Sequence, residues 1–198
     1  SIDQLFHGML VKSANDAANA LARANGGIDE TVAEMNAVAE RIGARDTHAD
    51  NPSGLDPDDD SPQYTSAHDL ALIARMGMRH PDFRRYICTK SYAFPAGNGG
   101  TYVIDNTNRL LGKYPGMFGV KTGYTSKAGN TIVVAAEQHG ARVLVSALRI
   151  NEPTYPTIAT LLDWGIGAVG KVEPVGRMTL PLDPVRAARA RFRAYALS

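Results

Sequence analysis

The sequence has a single cysteine, few aromatic residues and no long hydrophobic run. Its 198 residues include one Cys, and Phe, Trp and Tyr together make up 7% of the chain. Cys88 therefore cannot form an internal disulfide, and next to Tyr86 and Ile87 it is expected to pack as a small apolar residue. No apolar stretch approaches the roughly 18–20 residues that a transmembrane helix needs, so no membrane span is predicted within this chain.

The chain also lacks an excess of either charge. Lys and Arg number 21 against 20 Asp and Glu, which gives a formal net charge of +1. This balance argues against nucleic acid as a partner, because nucleic-acid-binding domains are usually strongly basic. A hydrophobic fraction of 44% and a charged fraction of 21% are ordinary for a globular domain built around one core.

Metal-binding patterns are incomplete. Asp56, Asp58 and Asp60 occupy the first, third and fifth positions of a calcium loop, but Ser61 replaces its required Gly and Ala67 its bidentate Glu. The five histidines show no metal-ligand spacing, which argues against a zinc hydrolase. The sequence therefore predicts neither a metal site nor a cofactor.

A Lys-Thr-Gly motif at residues 121–123 is the most informative feature that the chain does contain. The apolar residues before it, 117–120, are typical of a buried strand. Lys121 offers a charge, Thr122 a hydroxyl and Gly123 a bare backbone edge, a combination that suits a peptide substrate ending in a carboxylate. A phosphate-binding loop is excluded because Val120 stands where that loop needs Gly. The remaining alternative is a surface strand with one Lys before a turn.

A second motif, Ser13-Ala14-Asn15, stands between two predicted helices. The apolar residues of the segment 2–11 recur at helical spacing, and a second helix is predicted to start at Asp16 and to end at residues 25–27. Ser13 and Asn15 are therefore expected on a turn, from which their side chains can project into a cleft. The simpler alternative is that Ser13 only caps the second helix.

These two motifs in this order resemble the serine D-alanyl-D-alanine carboxypeptidases, which are low-molecular-mass penicillin-binding proteins. Ser-x-Asn is followed about a hundred residues later by Lys-Thr-Gly, as in that family. The similarity runs through most of the chain and includes residues 51–55, 65–73, 106–111, 124–129 and 161–165. Agreement at all these positions in the correct order supports the resemblance far more than either motif alone.

One part of the family pattern, the Ser-x-x-Lys motif, is missing. In the family its Ser is acylated and its Lys helps to remove the Ser proton. No lysine of this chain has Ser three positions before it. Because the motif precedes Ser-x-Asn by some tens of residues in the family, we expect the nucleophile-bearing N-terminal part to lie outside this chain. The chain alone is then expected to be inactive.

The resemblance implies a role for each matched residue. Ser13 would relay a proton to the leaving amine, Asn15 would position Ser13 and the substrate amide, and Lys121 would tune the hydroxyl network electrostatically. Thr122 would bind the terminal carboxylate of the substrate. The backbone N–H of Tyr124 would complete the oxyanion hole together with that of the nucleophilic Ser. We expect Ser13, Asn15 and Lys121 to converge on one cleft.

The implied reaction removes the terminal D-alanine from peptidoglycan stem peptides through a serine acyl-enzyme, and β-lactams would acylate the same Ser. The resemblance also implies an extracytoplasmic setting and, in many relatives, a C-terminus tethered to the membrane. The four arginines within residues 186–193 fit either a solvated helix or a basic segment next to a membrane, and nucleic acid is the least favoured alternative. Two alternatives stay open. A β-lactamase of the same fold would need a Glu between the motifs, and residues 41–136 contain none. A non-catalytic peptidoglycan-binding module would need no proton relay.

The predicted fold is of the α/β class and α+β type, an antiparallel sheet covered by helices plus a helical lobe, as in β-lactamases and transpeptidases. Helices are predicted at 2–11, 16–22, 28–42, 66–79, after Pro81 and at 157–169, with hairpins at 90–94/101–105 and 131–137/142–150. The nearly continuous apolar character of the second hairpin implies that helices cover both faces of its sheet. Residues 1–170 are expected to form the C-terminal portion of a penicillin-binding, transpeptidase-like domain. Residues 171–198 are expected to form a last strand, at 172–182, and a basic C-terminal tail or linker.

Overall fold

A computed structural model describes residues 1–57, 61–97, 99–151, 153–176 and 178. Within these residues five helices precede the five strands, and a sixth helix follows them. The elements are α1 Ile2–Val11, α2 Asn15–Ala24, α3 Ile28–Ile42, α4 Ala67–Gly77, α5 Pro81–Ile87, β1 Ser91–Pro95, β2 Thr101–Asp105, β3 Met117–Thr125, β4 Gly129–Gln138, β5 Ala141–Ile150 and α6 Thr154–Ala168. The helices and hairpins predicted from the sequence are therefore confirmed, with bounds that differ by a few residues.

Local capping explains where several helices begin and end. The Ser66 side chain accepts a hydrogen bond from the backbone N–H of Asp69 at 3.1 Å, as predicted for the start of α4. Gly43 ends α3 in the left-handed conformation, with a φ of 85°. Pro81 occupies the first turn of α5, where its missing N–H has no partner to lose.

A three-stranded antiparallel sheet in the order β3-β4-β5 forms the centre of the molecule. Alternate residues of β4 face opposite sides of this sheet. One face carries Ile132, Val134 and Ala136, which pack against Ile158 and Leu162 of α6. The other face carries Val133 and Ala135, which pack with Ala74 of α4 and Ile87 of α5. Helices thus cover both faces of the sheet, as the sequence predicted.

The helices α1 and α2 form a closely packed pair beside the β1-β2 hairpin. A Cβ atom on Gly8 of α1 would lie 3.2 Å from the Cβ atom of Ala17 in α2, so glycine permits this close approach. On its other side α1 contacts the hairpin through buried His7, whose ring stacks on Tyr92 with the ring centroids 3.7 Å apart. This packing fixes the turn between α1 and α2, where Ser13 lies.

The predictions for Cys88 and for a last strand need correction, and those for the remaining C-terminal residues stay open. Cys88 is exposed at the end of α5 rather than packed as an apolar residue, because its Sγ lies at the surface and donates a hydrogen bond to the carbonyl oxygen of Phe118. Residues 172–176 and 178, the described part of the predicted last strand, are not a strand, and Pro174 there lacks the N–H that a strand ladder needs. The rest of that strand and the basic tail lie outside the described residues. The domain division at 170 stays a prediction.

Among the helices that the structure describes, none is both long and apolar enough to cross a lipid bilayer. The helical lobe and the sheet with its covering helices meet at the turn after α1, at the loop after β2 and at β3. All the candidate site residues lie on or next to these three segments.

Candidate active site

Ser13 lies on the turn between α1 and α2, and its side chain does not cap α2. Its φ of 61° places it in the left-handed region, which residues other than glycine rarely adopt. The backbone N–H of the next residue, Ala14, donates to the carbonyl oxygen of Gly8 at 3.0 Å and holds this conformation. Ala14 is the N-cap of α2 and no side chain caps the helix, so the alternative role of Ser13 as a helix cap is wrong.

Lys121 reaches the Ser13 hydroxyl from the central sheet. Its Nζ atom donates to Ser13 Oγ at 2.7 Å and to the carbonyl oxygen of Thr122 at 2.6 Å. The predicted approach of Ser13 and Lys121, which are 108 positions apart in the chain, is therefore confirmed. A cation thus touches a hydroxyl on a strained turn, an arrangement that can polarise the O–H bond.

The Lys121 ammonium is held in an environment that disfavours its charge. Burial lowers the pKa of Lys121 from 10.5 to about 8. No carboxylate of the described residues forms an ion pair with it. Near neutral pH this lysine therefore carries a charge without a neutralising partner, which makes it ready to bind an anionic group and able to change protonation state.

Thr122 directs its hydroxyl to a second threonine. Thr122 Oγ1 donates to Thr107 Oγ1 at 2.7 Å. The backbone N–H of Thr107 donates to the carbonyl oxygen of Val11 at 3.0 Å, and the hydroxyl of Tyr155 donates to the Thr107 carbonyl oxygen at 2.8 Å. Thr107 therefore joins α1, β3 and α6. Sequence reasoning assigned it no role, although it belongs to the Asn-Thr-Asn-Arg-Leu-Leu run that supported the resemblance.

Two asparagines fix the backbone on either side of Thr107. The Asn106 amide donates to the carbonyl oxygen of Thr89 at 2.9 Å, and Asn106 Oδ1 accepts from the Asn108 N–H at 2.8 Å. Asn108 is itself buried, donates from Nδ2 to the Gly119 carbonyl oxygen at 3.2 Å and accepts from the Leu110 N–H at 3.1 Å. These bonds tie the loop to β3 just before the Lys-Thr-Gly motif.

The outer edge of β3 is open. In the described sheet β3 pairs only with β4, so the backbone groups of its other edge have no strand partner. Gly123 lies opposite Thr131, and a Cβ atom on Gly123 would come within 2.6 Å of Thr131 Oγ1. Tyr124, the next residue, is 70% exposed. An extended peptide can therefore reach this edge without meeting a side chain at Gly123.

Asp56 connects a neighbouring loop to the end of β3. Its Oδ1 accepts from Thr125 Oγ1 at 2.8 Å, and its Oδ2 accepts from the backbone N–H of Lys127 at 3.2 Å. From the sequence, Asp56 was interpreted only as part of an incomplete calcium loop. In the structure, its hydrogen bonds hold the β3–β4 turn. Its position directly after the Asn-Pro-Ser-Gly-Leu segment was the available signal.

Asn15 is not drawn into this network. It is the first residue of α2, not a turn residue, and its exposed side chain makes no hydrogen bond to any residue that the structure describes. Asn15 is therefore close to Ser13 in the sequence, but no hydrogen bond joins its side chain to Ser13 or Lys121. Histidine, cysteine, aspartate and glutamate side chains form no metal-binding group of three within the described residues.

Solved penicillin-binding enzymes share this architecture. A crystal structure of a D-alanyl-D-alanine carboxypeptidase from Mycobacterium tuberculosis superposes with a TM-score of 0.79 and 43% identity, covering 88% of this chain and 66% of the other. Penicillin-binding protein D2 from Listeria monocytogenes, solved in its ampicillin-bound form, superposes with a TM-score of 0.71 and 30% identity, covering 83% and 67%. The fold is therefore that of the penicillin-binding enzymes.

Sequence comparison identifies the family. Residues 1–151 match Peptidase_S11, D-alanyl-D-alanine carboxypeptidase, and the chain belongs to this family. It is 46% identical over 167 residues to the carboxypeptidase DacB2 of Mycobacterium tuberculosis, covering 82% of this chain and 57% of DacB2. It is 29% identical over 154 residues to DacF of Bacillus subtilis, covering 77% and 39%. The chain thus spans about 40–57% of the length of these two relatives.

Proposed function

We propose that this chain is part of a serine D-alanyl-D-alanine carboxypeptidase that removes the terminal D-alanine from peptidoglycan stem peptides. No lysine of these 198 residues has Ser three positions before it. The nucleophile in this proposal is therefore the Ser of a Ser-x-x-Lys motif that this chain does not itself supply. Its hydroxyl proton passes to the Lys of the same motif while its Oγ attacks the carbonyl carbon between the two D-alanines. The peptide C–N bond then breaks, and D-alanine leaves as the acyl-enzyme ester forms. Water then hydrolyses the ester and regenerates the Ser.

The hydrogen bond between Ser13 Oγ and Lys121 Nζ, 2.7 Å long, carries this proposal. The leaving amine must gain a proton when the C–N bond breaks. Because Ser13 accepts a hydrogen bond from the Lys121 ammonium, its own O–H proton is free to point at the leaving nitrogen. Ser13 donates this proton and recovers the one that the nucleophilic Ser passed to the Lys of its motif. Ser13 therefore acts as a relay, and Lys121 keeps its own proton and supports the charge that develops.

The open edge of β3 holds the substrate in this proposal. The Thr122 hydroxyl, which donates to Thr107 Oγ1 in the unbound site, turns to donate its hydrogen bond to the terminal carboxylate. The Lys121 ammonium attracts the same carboxylate. Gly123 leaves space for the extended peptide, and the Tyr124 N–H stabilises the oxyanion together with the N–H of the nucleophilic Ser. Asn15 rotates its exposed amide toward the substrate amide when a peptide is bound, since it makes no bond to a described residue in the unbound site.

The partners and the cellular setting follow from the same chemistry. D-Ala-D-Ala stem peptides belong to peptidoglycan, so the enzyme works on the extracytoplasmic side of the membrane. β-Lactams acylate the same Ser because their strained amide and carboxylate mimic the substrate. The reaction needs no metal ion or cofactor, because a serine nucleophile and a proton relay supply its chemistry.

Labelling with a fluorescent penicillin, and D-alanine release from a D-Ala-D-Ala peptide, test this function. The complete protein should show both activities, whereas the 198-residue chain should show neither. In the complete protein Ser13→Ala should slow acylation at least tenfold, and Ser91→Ala, at an exposed position of β1, should leave it unchanged. A penicilloyl mass addition on the 198-residue chain, or equal rates for the two variants, would contradict the proposal.

A further inference from the structure

A second cleft, which we call the arginine cleft, opens between the end of α4, α5 and the start of β5. It has a volume of about 900 Å³. Five arginines line it against a single glutamate: Arg75, Arg79, Arg84, Arg85 and Arg142. Since the chain as a whole carries a net charge of only +1, this concentration of one charge in one cleft is a local feature and does not follow from composition.

Most of this positive charge is not neutralised within the described part of the chain. Arg85 pairs with Asp3 at 3.0 Å, and Arg142 pairs with Glu137. Arg75 and Arg84 donate only to backbone carbonyl oxygens, and the guanidinium of Arg79 has no described partner. Three of the five guanidinium groups therefore lack a carboxylate partner among these residues and retain free N–H donors.

Part of the lining of the arginine cleft is apolar. It is formed by Met78, Pro81 and Phe118, and the guanidinium of Arg142 lies over the Phe118 ring at 5.8 Å from its centroid. Cys88 also lines the cleft, and burial raises the pKa of its thiol, so this residue stays neutral and adds no competing negative charge. The cleft therefore offers a group of hydrogen-bond donors above a surface that can receive carbon atoms.

The arginine cleft is separate from the candidate active site. Phe118 stands four residues before Thr122 on β3, a distance of about 13 Å along an extended strand. Glu137 and Arg142 lie at the β4–β5 end of the sheet, whereas the candidate substrate edge lies toward the β3–β4 turn at the opposite end. A ligand in the cleft would therefore not occupy the place of the D-Ala-D-Ala peptide.

We propose that the arginine cleft binds a phosphodiester group carried on an apolar or polyol chain. Planar guanidinium groups bind phosphate oxygens through paired N–H donors, and several of them around one cleft favour a group with more than one oxygen acceptor. The apolar part of the lining receives the carbon atoms beside the phosphate. Two sources carry this chemistry, namely the headgroup of an anionic phospholipid and a soluble phosphodiester.

Binding measurements with two probes test the site and distinguish the sources. The first probe is vesicles of phosphatidylglycerol mixed with phosphatidylcholine, measured by co-sedimentation against vesicles of phosphatidylcholine alone. The second is soluble glycerophosphoglycerol, measured by isothermal titration calorimetry. Binding of both probes identifies the phosphodiester as sufficient, and binding of the vesicles only identifies the phospholipid as the source. Failure to bind either probe overturns the proposal.

Charge-reversal variants of the full chain locate the binding. Arg79→Glu combined with Arg84→Glu should weaken binding at least tenfold. The matched control combines Arg23→Glu with Arg41→Glu, exposed positions on α2 and α3 that make the same change in net charge away from the cleft. It should weaken binding less than threefold. All variants keep the arginines of residues 186–193, so these cannot account for a difference.

A milder variant keeps the test valid if the double reversal unfolds the chain. Arg79→Gln removes one guanidinium that has no described partner, so circular dichroism should show an unchanged fold. It should weaken binding severalfold, and raised salt should weaken wild-type binding more than that of the variant. Equal affinities of the Arg79→Gln variant and the wild type, or equal losses in the cleft and control double variants, would overturn the assignment to this cleft.

Discussion

The Asn106–Asn108 loop and the Ser13 turn both bring polar side chains to β3, but they use them differently. In the loop, both asparagine side chains bond to backbone groups, and Asn108 is almost completely buried. On the turn, Ser13 bonds to the side chain of Lys121, and Asn15, at the start of α2 directly after the turn, has no described partner. The asparagine side chains of the loop form hydrogen bonds with backbone groups of the protein. Around the Ser13 turn, by contrast, a side chain bonds either to another side chain or to no described residue.

This difference separates groups that hold the fold from groups that await a ligand. A buried polar side chain bonded to backbone contributes to stability, because its removal leaves unsatisfied partners in the interior. A half-buried lysine without a carboxylate, next to a serine in a strained conformation, costs stability instead and persists where function requires it. Substitutions in the loop should therefore affect unfolding, and substitutions around Ser13 should affect catalysis.

The largest effect is expected for Lys121→Ala in the complete enzyme. Acylation by a β-lactam and by a D-Ala-D-Ala peptide should fall by about a hundredfold or more, because both the carboxylate attraction and the support for proton transfer are lost. The free energy of unfolding should not decrease, since an unpaired buried charge is removed. Stopped-flow acylation rates and urea unfolding measure the two quantities.

Lys121→Arg is the control for this change. A guanidinium restores the charge but not the compact geometry of an ammonium group, so only part of the acylation rate should return. Near-wild-type acylation by Lys121→Ala would show that Lys121 has no role in the reaction. It would also contradict the distinction between groups that hold the fold and groups that await a ligand.

Asn108→Ala should have the largest effect on stability. The substitution leaves the Gly119 carbonyl oxygen and the Leu110 N–H without their partners, a loss of about 2–3 kcal/mol in the free energy of unfolding. Asn130→Ala, the same change at an exposed position of β4, should cost less than about 0.5 kcal/mol in urea unfolding. Similar losses in the two variants would show that the Asn108 bonds do not hold this loop.

Thr122→Val should weaken substrate binding in the transition state and change the free energy of unfolding much less. The hydroxyl would donate a charge-assisted hydrogen bond to the substrate carboxylate, so its removal should lower acylation efficiency by about 1.5–3 kcal/mol, or roughly tenfold to a hundredfold. Stability should change less, because both threonine hydroxyls lie at the open site. Steady-state kinetics with a peptide that ends in an amide instead of a carboxylate provides the check. There the two enzymes should differ by less than threefold.

The smallest expected effect is the pH dependence that Lys121 contributes. Its folded-state pKa of about 8 lies below the ordinary value of 10.5, so between these values the unfolded chain binds more protons than the folded chain. Stability should therefore rise with pH through this window, by on the order of 1 kcal/mol between about pH 7 and about pH 9.5, and the rise should be absent in Lys121→Met. Urea unfolding at the two pH values tests this, and identical pH profiles of both proteins would contradict it.

The sequence predicted the helices and the hairpins because their signals are local. Helical spacing in α1 and α3, the Ser66 cap and the left-handed Gly43 all act within a few residues of themselves. The coverage of both sheet faces was predicted because β4 is apolar on both sides. The prediction that Cys88 packs as an apolar residue was wrong. Its exposure is set by the tertiary structure, and the acceptor of its Sγ hydrogen bond, the Phe118 carbonyl oxygen, lies thirty residues away in the chain.

For the candidate site, the sequence predicted only the residues that belong to the two motifs or directly follow one of them. Ser13, Lys121 and Thr122 were selected by their motifs, and the structure shows the expected contact between Ser13 and Lys121. The contacts of Thr107 and Asp56 were not predicted, because each depends on partners that no local pattern reveals, Thr122 in one case and Thr125 in the other. The roles of Ser13, Asn15, Lys121, Thr122, Gly123 and Tyr124 in the reaction stay predictions.

The Ser13–Lys121 contact also has a consequence for the order in which the chain folds. It closes a loop of 108 positions, whereas the β3–β4 and β4–β5 hairpins close within about ten residues each. Local pairings form early, and long-range contacts must first overcome the entropy of closing their loop. The hydroxyl and the ammonium therefore meet only after the α1–α2 pair has docked onto the finished sheet. If Ser13 and Lys121 act as proposed, a partly folded molecule, even one with an intact sheet, would lack their contact. Activity of the complete enzyme would then report that folding is complete.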